Sequence, residues 1–160
     1  MDPNNFKAKV NLGIIYEKLG NGAKAMHQYE DAMRDNPREF RILQNMGINM
    51  KRAGKFNDAL NFYKAAIDLD PVNSIVHYNT GILHNIRSEY PEAIAHLEKS
   101  IEHSKDNVYA FLALGDALER QKEHNKALKV YKELMGLKTK VHGLKERIVY
   151  LEGVIATEAK

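Results

Sequence analysis

The chain of 160 residues contains no cysteine and no tryptophan, and only four prolines. Without a thiol it can form no disulfide, no thiolate metal site and no cysteine nucleophile. Basic and acidic side chains nearly balance, 24 against 21, for a formal charge of +3, so the domain-scale basic excess of a dedicated nucleic-acid binder is missing. No stretch approaches the ~20 apolar residues of a membrane-spanning helix. The opening Met1-Asp2-Pro3-Asn4-Asn5 has neither the basic n-region nor the apolar h-region of a secretory leader. Catalytic signatures are missing as well: there is no phosphate-cradling glycine loop, no GxSxG and no HExxH pattern. These absences lead us to expect a soluble, cytoplasmic chain that is not an enzyme and needs no cofactor or metal.

What the sequence has in place of a catalytic motif is a period. Gly13, Gly47, Gly81 and Gly115 are 34 residues apart, and twelve positions after each comes an alanine, Ala25, Ala59, Ala93 and Ala127. Pro3, Pro37 and Pro71 keep the same step. A fixed period of this length predicts a solenoid of helical hairpins, and 44% hydrophobic with 28% charged residues is the balance of a folded domain. Counting from Phe6, the repeats span 6–39, 40–73, 74–107 and 108–141, with 142–160 following. Within the second repeat, Leu43, Met46, Gly47 and Met50 recur at helical spacing, as do Ala59, Tyr63, Ala66 and Ile67. Gly54 between them, like Gly20 one repeat earlier, suits the left-handed residue that ends a helix. The periodic glycine and alanine are expected to face one another, so that two helix backbones approach closely.

These residues carry a resemblance. Leu12-Gly13, Tyr16, Ala25, Tyr29, Ala32 and Pro37, repeated as Met46-Gly47, Met50, Ala59, Tyr63, Ala66 and Pro71, resemble the tetratricopeptide repeat through four consecutive periods. Departures occur: Thr80, Leu97, Ser100 and Lys105 in the third repeat, and Lys9, Leu43 and His77 where the family has an aromatic that only Phe111 keeps. The resemblance implies an all-α fold, an α-α superhelix in which a right-handed solenoid of four hairpins is closed by a C-terminal capping helix, the whole forming one domain over 1–160. Val141, Leu144, Ile148, Leu151 and Ile155 give residues 142–160 an amphipathic pattern. That helix either caps the last hairpin or is offered to another chain. Asp2-Pro3-Asn4-Asn5 matches the junctions around Pro37 and Pro71, so we expect a piece of a longer repeat protein.

Binding residues follow from the helix face that the repeat core leaves over. Position nine supplies Ile14, Ile48 and Ile82, and position five supplies Val10, Tyr78 and Leu112. In proteins similar to this one the first helices line the concave side, which makes these residues an apolar stripe along a groove. A contiguous apolar surface with a polar border marks an interaction site; the alternative is that neighbouring first helices half-bury it. Position six adds Asn11, Asn45 and Asn79, amides able to donate and accept along a peptide backbone, or merely tolerated polar residues. Lys7, Arg41, Gln44, Lys51 and Arg52 decorate the first half of this face, and Asp116 with Glu119 beside Arg120 the far end. A ligand with acidic residues at one end and basic residues at the other is thus expected, with such charges acting mainly on the on-rate.

The partner is therefore expected to be a protein or peptide, not nucleic acid or a membrane, with a homo-oligomer or a larger complex as the competing arrangement. Single-stranded RNA, taken by other helical-hairpin repeats, is disfavoured by the modest charge. The clamp by which related repeats hold the acidic tail of heat-shock chaperones is absent: Val10, Ile14 and Ile75 stand where lysine or asparagine is required, and Gln44 and Ile48 fail in the next register. His77 and His84 share a face seven residues apart, as do His96 and His103. Metal pairs on helices use i, i+4, so His77 and His84 are expected in the core.

Overall fold

The structure, a computed structural model, describes residues 5–137 and 140–159. The Pro3 junction lies outside them. The helices are α1 (Asn5–Lys18), α2 (Gly22–Asp35), α3 (Phe40–Arg52), α4 (Phe56–Leu69), α5 (Ser74–Ile86), α6 (Tyr90–His103), α7 (Val108–Arg120), α8 (His124–Gly136) and α9 (Leu144–Glu158), and no strand occurs among the described residues. The chain divides into two compact units, Met1–Asn79 and Thr80–Lys160. In the first, α1 packs on α2, α2 on α3 and α3 on α4. In the second, α6 packs on α7, α7 on α8 and α8 on α9.

Helix ends are written with the same 34-residue step. Gly20, Gly54, Ser88 and Lys122 all adopt the left-handed conformation, with φ of 74°, 73°, 61° and 60°. At each, two backbone bonds close the turn: Gly20 N–H to Glu17 O at 2.9 Å and Asn21 N–H to Tyr16 O at 2.8 Å in the first, Lys122 N–H to Glu119 O at 2.8 Å and Glu123 N–H to Leu118 O at 2.9 Å in the last. This double bond satisfies carbonyls that the helix end would orphan. Ser88 and Lys122 extend the turn to residues with a Cβ, at a cost of roughly 1–2 kcal/mol each. On the opposite side, Asn73 and Asn107 cap their helices by accepting from Val76 N–H at 3.1 Å and Ala110 N–H at 3.2 Å.

Each periodic glycine faces a side chain sixteen residues on, and Gly81 also meets its periodic alanine, Ala93 O lying 3.1 Å from where a Cβ would stand. A methyl group on Gly13 would stand 2.8 Å from Tyr29 Cδ1, on Gly47 2.6 Å from Tyr63 Cδ1, on Gly115 2.7 Å from Tyr131 Oη and on Gly81 2.6 Å from Leu97 Cγ. In three repeats the gap left by hydrogen at Cα is filled by a fully buried tyrosine ring, and in the third by Leu97. Ala25, Ala59, Ala93 and Ala127 are buried with it. In the first unit the core is Ala25, Tyr29, Ala32, Ile42 and Met46, with Phe6, Val10, Ile14, Tyr16, Met26, Met33 and Phe62 half-buried around it. His77 is 1% exposed, its Nε2 3.0 Å from Pro71 O. His84 is half-buried, its Nδ1 2.7 Å from Glu89 Oε2 and its ring stacked on His96 at 5.7 Å.

Gly115→Ala is expected to lower stability by about 1–3 kcal/mol through overpacking, while Gly153→Ala in α9, which meets nothing within 4 Å, raises it by about 0.5–1 kcal/mol; urea midpoints of the two variants check the contrast. Lys122→Gly, relieving the left-handed residue, is expected to gain about 1 kcal/mol, read as a rise in the same midpoint.

Candidate functional site

The first unit brings four of the expected binding residues to one place. Lys7, Val10, Asn11 and Arg41, together with Phe6 and Glu39, line a cleft of about 170 Å³ between the starts of α1 and α3. Asn11, Lys7 and Arg41 are exposed, whereas Val10 and Ile14 are half-buried because their inner edges rest on the core. Farther along α3, Gln44, Asn45, Ile48 and Lys51 are half-buried and Arg52 is exposed. Tyr78 is half-buried, but Asn79 is only 8% exposed. The amide series is thus accessible at Asn11 and Asn45 and withdrawn at Asn79, since a buried side chain has no free edge to present. In the second unit Ile82, Leu112 and Asp116 are half-buried. None of Val10, Ile14, Ile48, Tyr78 and Ile82 is sealed.

The charges of this face are largely engaged within the chain. Arg41 Nε lies 3.1 Å from Glu39 Oε1, and Arg52 Nη1 lies 2.9 Å from Glu17 Oε2. Burial holds the Lys51 ammonium below the usual lysine range, with Arg52 beside it acting in the same direction. At the far end, Arg147 of α9 reaches back to Glu119 Oε1 at 2.6 Å and Asp116 Oδ1 at 3.4 Å, and Arg120 also holds Asp116 at 3.1 Å. The acidic end expected from Asp116 and Glu119 is therefore neutralised by arginines of the chain itself. Desolvation opposes the Arg147 charge, and its bonds to Glu119 outweigh it, leaving the guanidinium above its ordinary value.

Glu17 escaped the sequence reading, and Glu119 entered it only as a charge of the ligand face. Glu17 and Glu119 occupy the twelfth position of the first and fourth repeats, each twelve residues before a buried tyrosine. Tyr131 donates to Glu119 Oε1 at 2.8 Å. Glu17, only 8% exposed, sits in a cleft of about 250 Å³ with Gly20, Gly22, Asn49, Arg52 and Ala53. Burial pushes its carboxyl above the ordinary 4.5, against Arg52 and the Tyr29 and Asn49 side chains, which pull it down. Asn49, itself 5% exposed, donates to Gly22 O at 3.1 Å and ties α3 to the start of α2. The common spacing of Glu17–Tyr29 and Glu119–Tyr131 was the available signal, and Lys51 and Asn85 at the same position in the middle repeats hid it.

Comparison with known proteins now has a geometry to rest on. Tetratricopeptide repeat family models match residues 46–107 and 87–138, and a second such model matches 6–37. The chain belongs to the tetratricopeptide repeat family. Its fold class is the all-α helical-hairpin solenoid class of that family. Among solved structures it is similar to MamA residues 41 to the end from Desulfovibrio magneticus RS-1, at TM-score 0.84 and 16% identity over 98% of this chain and 88% of that one. A MamA crystal structure gives TM-score 0.82 and 21% identity, covering 92% and 81%. Pseudomonas aeruginosa pilF gives 0.83 and 20%, covering 99% and 72%. No curated protein matches the sequence. Membership in the family supports a protein-interaction scaffold role in general, and the family fold is typically a non-enzymatic scaffold. Among the described residues no group of three His, Asp or Glu side chains could hold a metal ion, and no helix is long and apolar enough to cross a membrane.

The raised carboxyl of Glu17 sets a sign. The folded state binds this proton more tightly than the unfolded chain, so the stability it contributes is present below about pH 4.5 and is lost as pH rises through the folded value. Glu17→Gln is accordingly expected to gain more over the parent chain at pH 7 than at pH 4, as read from urea unfolding at the two values.

Proposed function

We propose that this tetratricopeptide repeat chain is a protein-binding module whose first helices receive a peptide or partner helix in a concave groove. The observation that supports the reading most directly is the half-burial of Val10, Ile14 and Ile48 next to accessible Asn11 and Asn45. Residues at positions three, seven and ten of α3 are consumed by the core, Ile42, Met46 and Asn49 being at most 6% exposed, while those at positions five, six and nine keep an open edge. Apolar atoms with such an edge gain from a further partner at ~25 cal/mol per Å² covered. Two or three amide bonds at a net ~0.5–1.5 kcal/mol each fall short of the ~8 kcal/mol of a micromolar complex. Ile14, Ile48 and their neighbours would supply most of the affinity, and Asn11 and Asn45 would orient the ligand backbone.

Since Arg41, Arg52 and Asp116 already have partners, charge contributes less to selection than the sequence alone suggested, and Lys7 is the basic residue best placed to meet an acidic ligand group beside the Val10–Arg41 cleft. The domain arrangement that goes with this function is a single domain of four repeats, 6–39, 40–73, 74–107 and 108–141, followed by a capping helix. Tyr78, Ile82 and Leu112 are assigned to ligand contact by register with Val10, Ile14 and Ile48.

With a captured partner in hand, Ile48→Asp is expected to raise Kd by about 10- to 100-fold, the equivalent of ~1.5–3 kcal/mol for a buried isoleucine, and Asn45→Ala by about 3- to 10-fold, with helicity and melting unchanged. Isothermal titration of both variants is the check, and normal binding by both moves the ligand surface elsewhere.

A further inference from the structure

The second unit leaves a surface open on the side of α7 turned away from the peptide face. A cleft of about 480 Å³ lies between α6 and α8, and its floor is Phe111, Leu114 and Leu118 of α7. These are positions four, seven and eleven, which at about 100° per residue fall within about 60° of one another, whereas Leu112 at position five is turned about 100° from Phe111. Ile101 of α6 and Val130 of α8 form the walls, each half-buried. All three helices belong to the one unit. The volume falls in the roughly 300–1,000 Å³ range of clefts that bury a ligand.

The opening belongs to this repeat and not to the period. Counting back by 34-residue steps from Val130 gives His96, Phe62 and Gln28. Phe62 packs a ring against the core of the first unit, and Val130 brings no ring, so space over Phe111 and Leu114 stays open. The rim is acidic, although the chain as a whole carries +3. Glu98 and Glu102 stand one turn apart on α6 and Glu133 stands on α8, all three exposed. Lys126 is held by Glu123, with Glu98 adding to the attraction. That leaves Lys129 facing three carboxylates, none of which is taken up by an ion pair among the described residues.

We propose that the cleft between α6 and α8 is a second docking site, whose occupant is a segment of another protein carrying a large apolar side chain with lysine or arginine on both flanks. The occupant follows from the rim. Carboxylates stand on both walls, Glu98 and Glu102 on one and Glu133 on the other, and they call for cations on either side of the inserted side chain, which a small ligand with a single charge does not supply. Burial of that side chain against Ile101, Phe111 and Val130 provides the affinity. Exposed rim carboxylates act mainly on the rate of encounter and on the choice between partners, and they repel an acidic segment. No residue of the cleft is among those assigned to the peptide groove, so either site can exist without the other.

The probe is a random peptide library displayed on phage, selected on the full chain and counter-selected on Val130→Phe, which brings the ring that Phe62 supplies in the second repeat. Surviving peptides are expected to place Lys or Arg on both sides of Leu, Ile, Met or Phe. In fluorescence anisotropy with the synthesised peptides, Val130→Phe is expected to raise Kd at least about tenfold. Glu98→Lys with Glu102→Lys is expected to raise it about tenfold and to remove its salt dependence, and Ile48→Asp to change it less than about twofold. A counter-selection that no peptide survives, survivors without flanking basic residues, or survivors that bind the Glu98→Lys with Glu102→Lys variant as they bind the parent chain overturn the proposal. If circular dichroism shows Val130→Phe losing helix, the pair of exposed glutamate substitutions takes its place in the counter-selection and is read by the same criteria.

Discussion

Everything in the fold hangs on how closely the two helices of a hairpin approach. The approach is set by a glycine on the first helix whose missing side chain is replaced by the face of Tyr29, Tyr63 or Tyr131, or by Leu97 in the third repeat. A buried ring brings large apolar area and locks the helix pair at one depth, and with the depth set, alanines such as Ala25 and Ala59 close the remaining space. The same contact decides which faces are left over. Once positions seven and eight of a leading helix are used inside the hairpin and between hairpins, several residues at positions five, six and nine keep part of their surface open. Those leftover positions are where Val10, Ile14, Asn45 and Ile48 lie.

The tyrosines also carry a polar end, and that end explains a group of residues with no obvious role. A phenol buried to the ring must place its hydroxyl somewhere, and Glu119 accepts from Tyr131 while Arg147 of α9 neutralises the glutamate. Glu17 occupies the equivalent place before Tyr29, with Arg52 as its counter-charge. Two charged residues that look like surface decoration are thus parts of the hairpin interior. The consequence for binding is direct, because Arg52 and Asp116, counted as charges for a ligand, are already spent on holding helices together.

The period also accounts for where the pattern stops. α9 repeats the packing face of a leading helix but has Val149 in the glycine position, so it can cover the hairpin before it and cannot seed the hairpin after it.

The hairpins, their order and their turns were legible in the residues themselves, because the 34-residue step of Gly13, Gly47, Gly81 and Gly115 and the helical spacing of Leu43, Met46 and Met50 are properties of the chain that no neighbour can alter. Left-handed glycines at Gly20 and Gly54 were legible for the same local reason. The left-handed Ser88 and Lys122 were not, since a residue with a Cβ enters that region only when the surrounding turn imposes it. Nor could spacing show that Gly13 meets the ring of Tyr29, that Asn79 is withdrawn while Asn11 and Asn45 are accessible, or that Arg147 folds back on Asp116. Those outcomes depend on which side chain from another helix fills a given space first, and that competition is settled only when the helices are packed.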